Sequence, residues 1–409
     1  MQALSPYVFI LSGCLLIIFS YVYNLLSKKT GIPSVLLLLM TGMGVRQFLI
    51  HENVWVDMPK KVVELFGILG LIMIVLEAGL DLQLSRKKLG LVKNAFFSSL
   101  VILALSSIAC ALLLHRDLGE NYLRCFIYAI PLSIVSSAIV IPSISHLQEH
   151  KKEFLIYETS FSDILGIMIF DYLIAGSLFE FKNISLFFGL LVIACLLSIF
   201  LSIFILFMLT KITTKVRYFL VFAVLIFLYA GGKLLHLPAL MVILIFGLIA
   251  CNWHSAVFKT AHSWIPVKKV NEVSHLLHAL AAESSFLIRT FFFFIFGLTI
   301  DFNLLMDPEV ITAGSSIVLA LFLIRFIYLR FFLHSHIFPE LFFMPRGLIT
   351  ILLFYSIPQA YRFSKFNEGI LFFVIMATSI LMIVGSISFG KPKLQAIHDE
   401  IPLAENEEM

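Results

Sequence analysis

Apolar residues run through this chain in long, nearly unbroken blocks, without the strict alternation of half-buried strands or the one-sided stripe of surface helices. Cut at polar or Gly/Pro-containing positions, the blocks fall at about 6–26, 32–50, 61–81, 94–114, 122–147, 154–177, 185–209, 217–233, 237–252, 284–300, 309–332, 341–360 and 367–389. A helix needs about 20 mostly apolar residues to cross the hydrocarbon of a bilayer, where every backbone polar group must be satisfied within its own segment. The pattern predicts an all-α polytopic membrane protein with about 13 transmembrane helices embedded in the lipid bilayer. The first block has no basic residue before it and Lys28 and Lys29 after it, so it reads as a first span and not as a removed leader.

Composition excludes a soluble fold. Of 409 residues 60% are hydrophobic and 13% charged, against roughly 45–50% apolar in an ordinary globular domain. The net charge of +4 reflects where Lys and Arg sit relative to the membrane and gives no reason to expect a nucleic-acid partner. With the N-terminus outside, seventeen basic residues fall in inner loops and nine in outer ones, which predicts that orientation, an odd number of spans and a cytoplasmic C-terminus. The setting expected is a bacterial inner membrane.

The longest polar stretch, 253–283, reads as an amphipathic segment on the inner surface. It divides the chain into nine spans (1–252) and four (284–389), followed by a short cytoplasmic tail (390–409). No Gly-rich nucleotide-binding turn is present and no cofactor is expected. Cys14, Cys110, Cys125, Cys195 and Cys251 are scattered without a CxxC pair, so they read as buried thiols and not as a metal site.

A charged side chain in mid-span costs at least about 2.5–3.5 kcal/mol and needs a partner or a function. The short list here is Glu77 with Asp81, Glu158 with Asp163 and Asp171, and Arg289, Arg325 and Arg346. The densest group lies in YETSFSDILGIMIFDY. Thr159 and Asp163 share one helical face at i,i+4 spacing, and Glu158 and Ser162 share the adjoining one. A carboxylate beside hydroxyl oxygens suits a small hard cation, which makes Asp163 the candidate ligand of a monovalent metal ion. Glu158 reads instead as the counter-charge of a buried arginine such as Arg325. Glu77 and Asp81, at the end of the third span, read as packing or interfacial groups, and Asp171 as an outer-interface group.

The fifth span, FIYAIPLSIVSSAIVIPSISHL, has Pro131 and Pro142 bracketing Ser133, Ser136 and Ser137, a pattern that weakens the helix near mid-membrane. Pro345, Arg346 and Gly347 interrupt a later apolar run in the same way. Two such interruptions in corresponding places point to a transporter-type substrate site.

Six segments in order resemble the monovalent cation:proton antiporter superfamily, in particular its sodium/proton exchanger branch: GIPSVLLLLMTGMGV, LGLIMIVLEAGLDLQL, SSAIVIPSI, ETSFSD, FFFFIFGLTIDF and MPRGLIT. The resemblance implies two inverted repeats with crossed broken helices, a homodimer, and Na⁺, Li⁺ or K⁺ with H⁺ as substrates. It assigns Asp163 as the essential aspartate, Thr159, Ser162, Ser136 and Ser137 as its neighbours at the ion and proton site, Glu158 and Arg325 as a structural pair, and Arg346 as the charge that compensates the helix breaks. Two departures stand out. Ser136 and Ser137 occupy the place of the usual Thr-Asp pair, which leaves the choice among lithium, sodium and potassium open, and Ser162 occupies that of Asn or Asp, which leaves one carboxylate and resembles the electroneutral members. The alternatives are a potassium efflux or channel-like protein of the same fold and a sensor that no longer transports. An enzyme is disfavoured, since no GxGD, GxSG or HExxH motif is present.

Overall fold

A computed structural model describes residues 6–30, 32–52, 60–82, 88–144, 147–174, 181–211, 217–234, 239–254, 266–300, 302–332, 337–363 and 366–389. The tail over 390–409 and the middle of the polar stretch, 255–265, lie outside the described residues. The order is α1 (Pro6–Thr30), α2 (Ser34–His51), α3 (Lys60–Asp81), α4 (Leu89–Leu118), α5 (Tyr122–Ser133), α6 (Ser137–Ser143), α7 (Glu149–Ile174) and α8 (Phe181–Lys211). It continues with α9 (Arg217–Leu234), α10 (Ala239–Cys251), α11 (Val267–Thr299), α12 (Phe302–Leu305), α13 (Pro308–Phe331), α14 (Leu348–Tyr355) and α15 (Gly369–Phe389). Among the described residues there is no strand.

Each expected span coincides with a helix or, at 122–147, with the pair α5 and α6. In the span expected at 341–360 only α14 is α-helical, and turns precede it. Seven spans among the described residues are long and apolar enough to cross a membrane by length and composition alone. α7 falls outside that set because Glu158, Asp163 and Asp171 share its apolar stretch. Local chemistry sets several ends. Asn121 caps α5 by accepting from the Leu123 amide, Asp307 caps α13 ahead of Pro308, and Gly119 closes α4 at φ +68°, which favours glycine.

The packing repeats itself. α2 lies on α11 and α10 on α3; α1 lies on α2 and α9 on α10; α4 lies on α7 and α13 on α15. Exchanging α1, α2, α3, α4 and α7 for α9, α10, α11, α13 and α15 reproduces every one of these pairs, so the chain is built of two inverted repeats joined through α8. Glycines mark the relation. A Cβ on Gly42 of α2 would sit 2.9 Å from the Gly297 Cα of α11, and one on Gly247 of α10 would sit 3.1 Å from the Gly79 Cα of α3. Each crossing is close enough to require both glycines, as where membrane helices pack by backbone approach.

This repetition turns at α8 and not at 253–283. Residues 267–283, expected to lie apart on the inner surface, continue into the tenth span as the 33-residue helix α11. Two of its polar positions meet neighbouring helices: Tyr21 reaches Glu283, and His278 lies 2.6 Å from Asp81.

Two bodies result. α1–α3 and α8–α11 form a panel, while α4–α7 and α13–α15 form a core bundle. At the head of the core bundle Lys88 and Glu153 pair at 2.5 Å, tying α4 to α7. That hydrogen bond from the ammonium to Glu153 is the chief reason the Lys88 pKa is raised above its ordinary value.

Candidate functional site

The fifth span breaks between its two prolines. α5 stops at Ser133, Ile134 and Ser136 are extended, and α6 starts at Ser137. The second break runs through Met344–Gly347 to the start of α14. The two extended segments cross in direct contact, with the Ser136 amide donating to the Pro345 carbonyl at 2.9 Å. Gly347 permits the crossing, since a Cβ there would lie 2.5 Å from Ser136 Oγ and 2.9 Å from Ile139 Cδ1.

Asp163 projects from α7 to this crossing and is 4% exposed. Its Oδ2 accepts from the Ser137 amide at 3.1 Å and from the Ser137 hydroxyl. Its Oδ1 is buried and has no partner among the described residues, and the same holds for Ser136 Oγ. Ser162 faces the break differently: its Oγ accepts from the Val135 amide at 3.0 Å and so holds the unwound chain. Thr159, expected to stack on Asp163, turns its hydroxyl back to Leu155 O at 2.8 Å. The hydroxyl that bonds Asp163 thus comes from another helix and not from the next turn of its own.

Glu158 is spent on Arg325. Arg325 Nη1 and Nη2 reach the two carboxylate oxygens at 3.1 and 2.8 Å, and both residues are 1% exposed. Ser98 of α4 adds a donor to Glu158 at 2.8 Å, and Arg325 Nε donates to Glu340 O at 2.9 Å. Glu340 in turn pairs with Lys151 at 2.9 Å. Sequence patterning could not place Ser98, Glu340 or Lys151 in this network, because each joins it through the fold and not through spacing.

Arg346 has no acidic partner among the described residues. Its guanidinium donates to Leu132 O at 2.8 Å, Ser133 O at 3.2 Å and Met344 O, while its amide donates to Thr378 Oγ1 at 3.1 Å. The first two are carbonyls of the last turn of α5, so a fixed positive charge sits at the negative end of that half-helix. Asp163 is likewise held by an amide from the first turn of α6. The breaks therefore present a cation-compensated carbonyl end and an amide-bound carboxylate within one crossing.

Glu77 and Asp81, expected as packing groups, have specific partners: Glu77 lies 3.5 Å from Arg289 and Asp81 pairs with His278. Among the described residues no group of three or more His, Cys, Asp or Glu side chains could hold a metal ion. The crossing instead gathers one carboxylate, that of Asp163, with the hydroxyls of Ser136 and Ser137.

Two solved structures of the sodium proton antiporter MjNhaP1 from Methanocaldococcus jannaschii share this fold. One, determined at pH 8, superposes with a TM-score of 0.70 at 19% identity, covering 95% of this chain and all of that one. The other, from an electron-microscopy map, gives 0.67 at 20% identity, covering 98% and all. No curated protein matches the chain significantly. Residues 15–391 match the family described as sodium/hydrogen exchanger, transmembrane. That match runs from the first span through the last, and the chain therefore belongs to the sodium/hydrogen exchanger family, whose members are secondary transporters that exchange a monovalent cation for protons.

Proposed function

We propose that the exchange is electroneutral, that Na⁺ or Li⁺ is the cation with K⁺ the remaining candidate, and that cation and proton compete for Asp163. One observation carries this reading: Asp163 is a buried carboxylate with one oxygen fixed by Ser137 and the other left open beside the break. A single negative charge in a buried site is satisfied by a proton or by a partly dehydrated cation, never by both, and that exclusion couples the two fluxes. The open oxygens of Asp163 and Ser136, the hydroxyl of Ser137 and nearby backbone carbonyls supply the ligands, and Thr159, whose hydroxyl bonds Leu155 O, contributes only if it turns toward Asp163. Ser162 supports them by holding the unwound chain. Glu158 is neutralised by Arg325 and adds no free charge, which is the basis for electroneutrality.

The chain acts in a bacterial inner membrane with its N-terminus outside and its C-terminus in the cytoplasm, and two copies associate through the panel. The panel helices α1 and α9 turn Tyr7, Leu11, Phe219 and Phe227 outward, and pairing there leaves each core bundle free to move. Chemical cross-linking between paired cysteines introduced on α1 or α9 tests this association.

The test of transport is reconstitution in liposomes holding a pH dye, with an imposed proton gradient and Na⁺, Li⁺ or K⁺ added outside. Dissipation by one cation in the wild type and by none in Asp163→Asn is expected. Cation-driven proton movement that survives Asp163→Asn overturns the shared-site reading. Failure of all three cations across a broad pH range favours a sensor.

A further inference from the structure

Pro142 has no amide hydrogen, so the carbonyl of Ala138, four residues earlier in α6, lacks its helical donor. Arg289 of α11 supplies one from the other body. Its Nη1 donates to Ala138 O at 3.4 Å, its Nη2 lies 3.5 Å from Glu77 Oε2 on α3, and its Nε donates to Ser285 O at 3.2 Å. One guanidinium thus ties panel helices α3 and α11 to core helix α6. The tie falls one residue from Ser137, whose amide and hydroxyl hold Asp163. The side chains of Arg289 and Glu77 are only 16% and 20% exposed, so each offsets the cost of the other within the membrane.

Toward the opposite face the same two bodies enclose a space. A cavity of about 350 Å³ opens there, lined by Ile68, Phe292 and Thr299 of the panel and by Tyr128, Ile351 and Tyr355 of the core bundle. Ile68 precedes Glu77 on α3 and Thr299 follows Arg289 on α11, each by roughly 13–15 Å along its helix at 1.5 Å per residue. The helices are antiparallel, so both displacements point toward the same face. The panel and core bundle are therefore tied by a polar contact at Arg289, and beyond it they enclose the cavity between apolar contacts such as Phe296 with Phe372. Within the panel the Gly42–Gly297 and Gly79–Gly247 crossings leave no slack for α3 or α11 to follow a moving core.

We propose that Arg289, oriented by Glu77, is the positioning residue that closes the path to Asp163 on the face carrying the α3 C-terminus. Its bond to Ala138 breaks when the core bundle exposes Asp163 to that face. This rests on the reading of Asp163 as the shared ion site. The latch stabilises the present access state, so removing it shifts the balance toward the opposite one. An apparent affinity scales with the population of the state that can bind. Loss of the latch therefore lowers KM for cation offered on the α3 C-terminal face and raises it on the other face. The expected size is about two- to fivefold each way, as for a half-buried ion pair. A merely structural role changes the amount of active protein and leaves both KM values alone.

The experiment measures cation-dependent proton movement in right-side-out and everted membrane vesicles from cells expressing the full chain. The cation is whichever of Na⁺, Li⁺ and K⁺ drives exchange in the wild type. A reporter fused to the C-terminal tail identifies the face that also carries the α3 C-terminus. Arg289→Gln is expected to move the two KM values in opposite directions, and Arg289→Lys to bring them back toward wild type. Glu77→Gln, which keeps the bond to Ala138, is expected to give a smaller shift of the same sign and serves if Arg289→Gln fails to accumulate. Unchanged KM values, equal shifts on both faces, or the reverse signs overturn the latch. Asp163→Asn in the same vesicles tests the shared-site reading separately, because its outcome is loss or survival of exchange and not a sided change in KM.

Discussion

Ser137 aims two donors, its amide and its hydroxyl, at the same oxygen of Asp163, and the other oxygen of that carboxylate is left without a partner among the described residues. The acid is thus oriented by one end and offered by the other. Asp163→Asn keeps an oxygen that can accept both bonds from Ser137 but has no charge to exchange. The expected result is a protein that melts near the wild-type temperature in detergent and moves no protons in response to any cation. Residual exchange above a few per cent of wild type would place the competing site elsewhere.

Ser162 stands where the family resemblance puts Asn or Asp. A second carboxylate beside Asp163 gives the site more than one negative charge to satisfy in each half-cycle, so Ser162→Asp is expected to make the exchange carry net charge. Proton uptake in vesicles clamped with valinomycin at different K⁺ ratios measures this directly. The wild type should ignore the imposed potential and the variant should follow it. If both ignore it, the single-carboxylate basis for electroneutrality fails.

The bidentate pair of Glu158 with Arg325 is structural by this geometry, and its energetics can be separated from transport. Glu158→Gln leaves a guanidinium buried without its counter-charge, at a cost of about 3–5 kcal/mol. Replacing both members, Glu158→Gln with Arg325→Met, removes the stranded charge and is expected to recover most of that stability. Thermal unfolding of the purified variants checks the order: single substitution lowest, double substitution close to wild type. A double variant as unstable as the single one would mean that Ser98 and the Glu340 carbonyl, not the charge pair, hold these helices together.

Much of this arrangement was legible in the chain, for identifiable reasons. The spans could be read because apolar blocks of membrane length have no other use. That Glu158 neutralises a buried arginine could be read because a charge in an apolar span needs a counter-charge, and the family resemblance named that arginine as Arg325. The break between Pro131 and Pro142 could be read because proline removes helical donors. Helical spacing alone could not name the partner of Asp163, although the family resemblance put Ser137 beside it. An i,i+4 neighbour shares a face without having to point along it, and Thr159 spends its hydroxyl on Leu155 O. Ser137 reaches Asp163 only because the two broken segments cross. The repeat boundary was also hidden, because polar residues over 267–283 suggest a surface segment until Tyr21 and Asp81 are seen to meet them. Arg289 had one unread signal, the Ala138 carbonyl that Pro142 strips of its donor.

That crossing depends on one residue more than on any charge. Gly347 has a negative φ of −157°, so a left-handed backbone is not what it provides. What it provides is room. A methyl group at 347 would lie 2.5 Å from Ser136 Oγ and 3.0 Å from Ser136 Cβ, and neither is the far end of a flexible chain. Relief requires the two extended segments to move apart, which strains the Ser136 amide to Pro345 carbonyl bond and shifts Ser137 relative to Asp163. Gly347→Ala is therefore expected to cut transport at least tenfold, since overpacking of this kind costs about 1–3 kcal/mol. Ser136→Ala in the same chain removes the nearest atom but not the Cβ contact, so the double variant should regain stability only in part. It should regain no cation affinity, because it also loses a ligand oxygen. Melting temperature and the cation concentration that gives half-maximal exchange distinguish the two effects. If Gly347→Ala transports like wild type, the broken segments have slack that this geometry does not allow, and the orientation of Asp163 by Ser137 is not what sets the rate.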